Sequence, residues 1–571
     1  MKRLLIVFAV LVAIAIGSAL LGVLISSSGK PAALCGNEVL RFTVAGDLRE
    51  QAPSSGLRLP GFSTPTSYAA IYTALLAART DPTVKGLRLD IQDASFGLAK
   101  AQELRELFAA LKKSGKFVRC YMDSAGEGSN GTLEYYLASA CSHISLAPPG
   151  EVNLIGLYVD SAFLRGALEK LKIDATYAHA GKYKSAPEAF TEYGFSPAAR
   201  EAMDTLLDSE FSQIVRGIAA DRGISEDTVR SLVDRAPFDA KTALDAKLVD
   251  ALAYPDEFQA AIEEAAGGDV RYVDLEEYRR STSTSGHHVA VVFAAGTIVR
   301  GSGGEQPWSQ ESFVGADDLS RTLAEVADDD DVSAVVLRID SPGGSALASD
   351  LIQREVARLR DRKPVVVSMS DLAASGGYYI AARAQKIVAL PATLTGSIGV
   401  FAGKFSSRRF QQDWLGISHD TLKRGANADY YSALDPFNDD QNGRFTSGVE
   451  RTYDRFVGVV SAGRKMSRDA VDAVAQGRVW TGEDALRAGL VDELGGLERA
   501  VALAGELAGL PNGTSPELEF LPAAPTLLET LFGHRPTAAS LSLDQILHAL
   551  APRAAQALEL PPEISRLSRP F

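Results

Sequence analysis

The residue types that could carry chemistry in this chain lie in two glycine-bearing loops and one lysine-containing run. Ala373-Ala374-Ser375-Gly376-Gly377-Tyr378-Tyr379 falls between a β-branched apolar run and a helical pattern. A serine at a strand-to-helix junction stands exposed, and the amide after it can face an oxyanion, as in a nucleophile elbow. The same serine would also serve as an ordinary helix N-cap. Asp340-Ser341-Pro342-Gly343-Gly344 sits at a similar junction. Its glycines let the backbone approach a ligand and turn amides toward an anion, as any strand-to-helix turn could. A nucleophilic serine needs a base. None of the seven histidines (His143, His179, His287, His288, His419, His534, His548) falls inside these loops, and each reads as a surface or packing residue. Lysine can serve instead if burial lowers its pKa from ~10.4 toward ~7–8. The candidate is Lys184, in Gly181-Lys182-Tyr183-Lys184-Ser185-Ala186-Pro187-Glu188. Taken alone, that lysine reads as a solvated surface charge. With no H-E-x-x-H and no CxxC pair, no metal or other cofactor is expected.

These loops belong to a unit written twice. Val39–Gly46 answers Val289–Gly296, and Leu87-Arg88-Leu89-Asp90 answers Leu337-Arg338-Ile339-Asp340, both at an offset of 250. Tyr135-Tyr136-Leu137-Ala138 answers Tyr378-Tyr379-Ile380-Ala381, and Ile155-Gly156 answers Ile398-Gly399, both at 243. Leu248-Val249-Asp250 answers Leu490-Val491-Asp492 at 242. Collinear matches with slowly drifting offsets indicate a tandem duplication. The same alignment sets Thr132 opposite Ser375 and Asp90-Ile91-Gln92-Asp93 opposite the Asp-Ser-Pro-Gly-Gly loop, and matching Ser185-Ala186 with Ser432-Ala433, at 247, sets Tyr431 opposite Lys184. Each copy keeps one half of a possible dyad and lacks the other. Two ancestral sites that decayed into one shared pocket would leave this pattern.

Short apolar runs alternate with helical patterns in each copy. In the second, Val289–Ala294, Ala334–Ile339, Val365–Met369 and Lys386–Ala389 read as buried strands. Ala348–Leu359 reads as an amphipathic helix, and Gly376–Ala384 as a helix start. Strand–helix alternation predicts an α/β fold of βαβ crossovers and a mainly parallel sheet. The expected organisation is an N-terminal membrane anchor or signal (1–30), a first copy (31–280), a linker (281–286), a second copy (287–510) and a proline-containing tail (511–571).

Lys2 and Arg3 precede an apolar run, Leu4–Ile25, broken only by Ser18. Those 22 residues would span about 33 Å as a helix, enough for a ~30 Å hydrocarbon core. The run is longer than a cleaved signal's and lacks a clean A-x-A site, which favours an uncleaved anchor. Basic residues ahead of it place Met1 in the cytoplasm and the bulk of the chain on the other side. The formal charge of −14 and the absence of any long Lys/Arg cluster argue against a nucleic-acid partner. Cys35, Cys120 and Cys141 allow at most one intramolecular disulfide, and the sequence does not say whether it forms.

The words Gly181-Lys182-Tyr183-Lys184-Ser185-Ala186, Asp340-Ser341-Pro342-Gly343-Gly344, Ala374-Ser375-Gly376-Gly377-Tyr378-Tyr379, Thr395-Gly396-Ser397-Ile398-Gly399-Val400 and Gly489-Leu490-Val491-Asp492 occur in this order. Together they resemble the long form of the bacterial signal peptide peptidase A (protease IV) family, membrane-anchored serine proteases of the ClpP/crotonase-like superfold. The resemblance covers roughly residues 1–510. It implies Ser375 as nucleophile, Lys184 as general base, and Ser397 as the residue that orients the lysine. It further implies an oxyanion hole from Gly376 and the Gly343/Gly344 loop. A homotetramer is also implied, on the outer side of a bacterial inner (cytoplasmic) membrane, acting on remnant signal peptides. A crotonase-like acyl-CoA enzyme and a tethered, non-catalytic peptide-binding scaffold are the alternatives.

Overall fold

β-Branched, apolar runs build two parallel sheets of the same plan in the computed structural model, which describes residues 36–51, 67–278, 288–305, 311–511 and 516–522. In the first copy the strand order is Ala251–Leu252, His143–Leu146, Phe117–Met122, Val84–Ala94, Glu38–Gly46 and Arg271–Asp274, every pair parallel. The second copy repeats it with Glu493–Leu494, Lys386–Ala389, Val365–Ala374, Val332–Ser341, His288–Ala295 and Glu517–Leu521. There Leu394–Gly396 branches from the end of Val365–Ala374, and Val479–Thr481 joins it antiparallel. Central strands such as Val289–Ala294 and Val332–Ile339 are buried, consistent with their continuous rather than alternating apolar content.

The repeated words do the same work in both copies. The Tyr135 hydroxyl donates to the Leu248 carbonyl at 2.8 Å, and Tyr378 donates to Leu490 at 2.9 Å. Asp250 accepts from the Ile144 amide, and Asp492 from Ile387, both at 2.8 Å. Each copy also has a 26-residue helix: Pro197–Arg222, capped by Ser196, and Asp439–Arg464, capped by the Asn438/Gln441 pair.

The copies interlock. Val400–Ser406 of the second pairs antiparallel with Asp174–Ala180 of the first. Arg338, fully buried, reaches from the second copy to Glu50 at 2.9 Å and Glu103 at 2.5 Å of the first. Such an ion pair is tolerated in an apolar interior because both partners are hydrogen-bonded, and removing one partner would strand the other. Cys120 and Cys141 form a disulfide, with Cα atoms 6.0 Å apart, tying Phe117–Met122 to the end of helix Thr132–Ser139.

Glu517–Leu521 lies past the expected domain end at residue 510. It forms the outer strand of the second sheet, the counterpart of Arg271–Asp274, with Phe520 against Phe293. Five residues carry too weak a pattern to stand out from a proline-containing tail, and pairing with a preformed edge supplies the rest. The expected membrane segment, the 281–286 linker and the tail from residue 523 lie outside the described residues. No helix among the described residues is long and apolar enough to cross a membrane.

Candidate active site

Ser375 follows strand Val365–Ala374 and precedes helix Gly376–Ala381. Its backbone sits at φ 54° and ψ −115°, a region that non-glycine residues rarely enter. Six non-glycine residues among those described have positive φ. Lys172, Lys247 and Lys465 are ordinary chain reversals after helices, and glycines stand at the matching places of the other copy (Gly416, Gly489 and Gly223). The remaining three, Ser375, Ser397 and Gln476, meet in one place; Gln476 also follows a helix, Arg468–Val474, whereas Ser375 and Ser397 have no such explanation. Strain concentrated in this way marks a site where surrounding contacts over-determine the backbone.

Lys184 comes from the other copy. Its Nζ lies 3.2 Å from Ser375 Oγ, 2.9 Å from Ser397 Oγ and 3.2 Å from the Ser397 carbonyl oxygen. The residue is 7% exposed, and burial lowers its pKa to about 8. A neutral amine beside a hydroxyl is a base in hydrogen-bond reach of the proton it would take. Sequence reasoning found all three of these residues, and the fold brings them together.

It missed the clasp that holds the lysine. The Gln476-Gly477-Arg478 turn comes after helix Arg468–Val474. Tyr183 N donates to the Gln476 carbonyl at 2.7 Å, and Gly477 N donates to the Ile398 carbonyl at 2.8 Å. Ser397 N donates to the Arg478 carbonyl at 2.7 Å. Gly477 sits at φ 77°, and a Cβ there would lie 2.6 Å from Lys184 Cβ, so only glycine allows this approach. The turn offers no chemically distinctive side chain to betray it.

The Asp-Ser-Pro-Gly-Gly loop lies against the serine. A Cβ on Gly343 would fall 2.5 Å from Gly376 N, so this contact too requires glycine. Of the three expected oxyanion residues, Gly343 is engaged elsewhere: its amide donates to Ser341 Oγ at 3.1 Å. Ile298 bonds to the residues on either side of Gly344, through the Gly343 carbonyl and the Ser345 amide, which leaves the Gly344 N–H facing the other way. The Gly376 N–H belongs to a first helical turn and has no intrahelical acceptor. Two backbone donors therefore stand beside the serine.

Apolar surface adjoins the pair. The Phe401 ring centroid is 6.0 Å from Lys184 Nζ, and Phe405 packs with Tyr177 and Phe190 further along the same strand pair. Among the described residues no cluster of side chains could hold a metal ion.

A strained serine beside a buried amine and two free amides can carry acyl transfer, so fold and site define a serine hydrolase in which an amine replaces histidine. The sequence pattern of peptidase family S49 matches the chain twice, over residues 110–269 and 357–511. The chain belongs to this family and is a serine peptidase. It is 35% identical over 515 residues to Protease 4 of Salmonella typhi, covering 87% of this chain and 79% of that one. It is 34% identical over 488 residues to the chloroplastic serine protease SPPA of Arabidopsis thaliana, covering 83% and 69%. Among solved structures, ClpP1 from Listeria monocytogenes aligns over 36% of this chain and 91% of its own, at 16% identity and a TM-score of 0.22.

Proposed function

We propose that the protein is a membrane-anchored endopeptidase that uses Ser375 and Lys184 to degrade signal peptides left after preprotein processing, together with other apolar peptides. The observation that carries this reading is the 3.2 Å contact between the Lys184 amine and the Ser375 hydroxyl, one from each copy. Neutral Lys184 takes the hydroxyl proton as Ser375 Oγ attacks the peptide carbonyl. The Gly376 and Gly344 amides hold the oxyanion, and Ser397 Oγ fixes the amine. Lys184 then gives the proton to the leaving amine and activates the water that releases the acyl group.

The substrate class is supported by the exposed aromatic face of Phe401 and Phe405, 44% and 38% exposed, beside the dyad. It is also supported by a relative of Enterococcus faecium named putative signal peptide peptidase SppA, 35% identical over 205 residues. An extended apolar peptide suits such a face, and an anchor would raise the local concentration of membrane-derived fragments. The run Leu4–Ile25 behind Lys2-Arg3 supports a single span in the inner membrane of a bacterium, with the catalytic part outside the cytoplasm. The Cys120–Cys141 disulfide is consistent with an oxidising compartment.

A homotetramer is supported by an asymmetry in the repeat. Asp174–Ala180 and Val400–Ser406 pair across the copies, but their counterparts, 418–424 and 157–163, are in no strand and expose Leu422, Tyr158 and Val159. Repeating the internal contact between chains is a head-to-tail interface, which gives a ring when the rotation between chains closes. Light scattering on the full chain in detergent is expected to give four chains per particle.

The test of the activity is hydrolysis of a fluorogenic apolar peptide ester. Turnover lost in both Ser375→Ala and Lys184→Ala is expected. Wild-type turnover in either variant would overturn the dyad.

A further inference from the structure

The register between strands Val332–Ser341 and Val365–Ala374 breaks immediately before the catalytic loops. Ile339 pairs with Met369 and Ser341 with Ala373, so Asp340 alone faces Ser370, Asp371 and Leu372. A bulge of this kind bends its strand and re-aims the residues beyond it, here Ser375. The equivalent pairing in the first copy runs unbroken from Gly86↔Phe117 to Ile91↔Met122.

Each residue of the bulge is tied. Leu372 N, which lacks a ladder partner, donates to Asp340 Oδ1 at 3.2 Å. Asp371 accepts from the amides of Gly97 at 2.9 Å and Lys100 at 2.7 Å, at the start of helix Leu98–Lys113. The Ser370 hydroxyl donates to Glu50. The Lys100 ammonium, with a side chain only 4% exposed, sits over all three anchors. It lies 3.1 Å from Asp340 Oδ2, 3.3 Å from Glu50 and 3.7 Å from Asp371, and donates to the Leu48 carbonyl at 2.8 Å. Burial pushes the Asp340 carboxyl up to about 6 even beside this ammonium, so its ionised form depends on that charge. Lys100 belongs to the first copy, and the matching position in helix Ala346–Arg360 is the uncharged Ala348.

We infer that Lys100 is a positioning residue for the peptidase reaction. It fixes the Asp340–Leu372 clasp, and through it the spacing between the Gly343-Gly344 loop and Ser375. The first copy thus supplies the general base and also the cation that shapes the nucleophile's strand. This rests on Ser375 and Gly344 being nucleophile and oxyanion donor. A shift of about 1 Å between those groups is worth ~10²-fold in rate, far more than it changes the grip on a long peptide.

The experiment uses the full chain, a fluorogenic peptide ester and a peptide boronate that mimics the tetrahedral intermediate. Lys100→Met is expected to lower kcat about 10²-fold with KM within ~3-fold, and to weaken boronate binding in step with kcat/KM. Asp340→Asn keeps the Leu372 acceptor and leaves Lys100 balanced by Glu50 and Asp371. It is expected to fold, with kcat about 10-fold down, and it decides the question alone if Lys100→Met does not fold. Arg79→Met breaks another ion pair between the copies, Arg79–Glu498 at 2.6 Å, and is expected to lower Tm while kcat stays within ~2-fold. Unchanged kcat in folded Asp340→Asn, or loss of kcat in Arg79→Met as large as in Lys100→Met, would overturn the inference. Ser375→Ala in the same assay checks the footing: turnover surviving there would overturn the site itself, and Lys100's role with it.

Discussion

The equivalent corners of the two copies differ in one respect that decides everything else. In the first, Thr132 lies in a regular helix, and its hydroxyl accepts from the Gly156 amide at 3.0 Å and donates to the Gly156 carbonyl at 3.2 Å. The corner is closed on itself. Asp90 there pairs with its neighbour Arg88 at 2.9 Å, and the strand register is unbroken. In the second copy the strand bulges, Ser375 is forced to φ 54°, and its hydroxyl faces an amine from the other half. One sheet plan therefore supports both an inert and a reactive corner. The reactive one persists because the first copy holds it: the Lys184 loop on one side, Lys100 and Glu50 on the other. Strain is stable only where neighbours over-determine it.

That contrast is open to attack by mutation. Ser375→Ala and Lys184→Met are expected to reduce kcat/KM by about 10³-fold or more, whereas Thr132→Ala leaves it within about 3-fold. Peptide-ester hydrolysis measures all three, and a comparable loss in Thr132→Ala would mean both corners work.

The pH profile comes next in size. The Lys184 amine, lowered by burial to about 8, is protonated below that pH and cannot accept the serine proton. Activity should rise about tenfold per pH unit up to the plateau near pH 8. The linked effect on stability has a definite sign. Between about 8 and the ordinary lysine value the unfolded chain binds the extra proton, so stability rises with pH through that window. At pH 7 a neutral replacement no longer forces a charge into an apolar pocket. Lys184→Met should accordingly be about 1–3 kcal/mol more stable than wild type by urea unfolding, though inactive.

Gly477→Ala is the subtler cut. It strains a φ of 77° and drives a methyl into Lys184 Cβ, so kcat should fall about 10- to 100-fold while the Ser375 side stays intact. The smallest effect on turnover is expected from the first copy's own staple. Cys141→Ser opens a disulfide with a sequence separation of 21 and should lower stability by about 3 kcal/mol. Its kcat should remain within ~2-fold, because the bond lies beyond the end of helix Thr132–Ser139, in the copy that carries neither Ser375 nor Ser397.

The duplication, the parallel α/β plan and the candidacy of Ser375 and Lys184 were legible in the chain, whereas Ser397 was implied only by the family resemblance. The repeated words are short and local, and each places its loop at the end of a strand whose apolar content announces it. Complementary loss between the copies then pointed to a shared pocket. Ser341's capture of the Gly343 amide was not legible, because it depends on a side-chain rotamer inside the loop. Nor was the strand Glu517–Leu521, which is defined by its pairing more than by its own five residues.

Local sequence thus determined which residues could react, since residue type and strand-to-helix position are properties of a few neighbours along the chain. Only the tertiary structure decided that they do so together. The Lys184–Ser375 contact joins positions 191 apart, and the Gln476–Arg478 clasp and the Lys100 cluster join the two copies in the same way. Their energies come from burial and from geometry across an interface, neither of which any short stretch of chain contains.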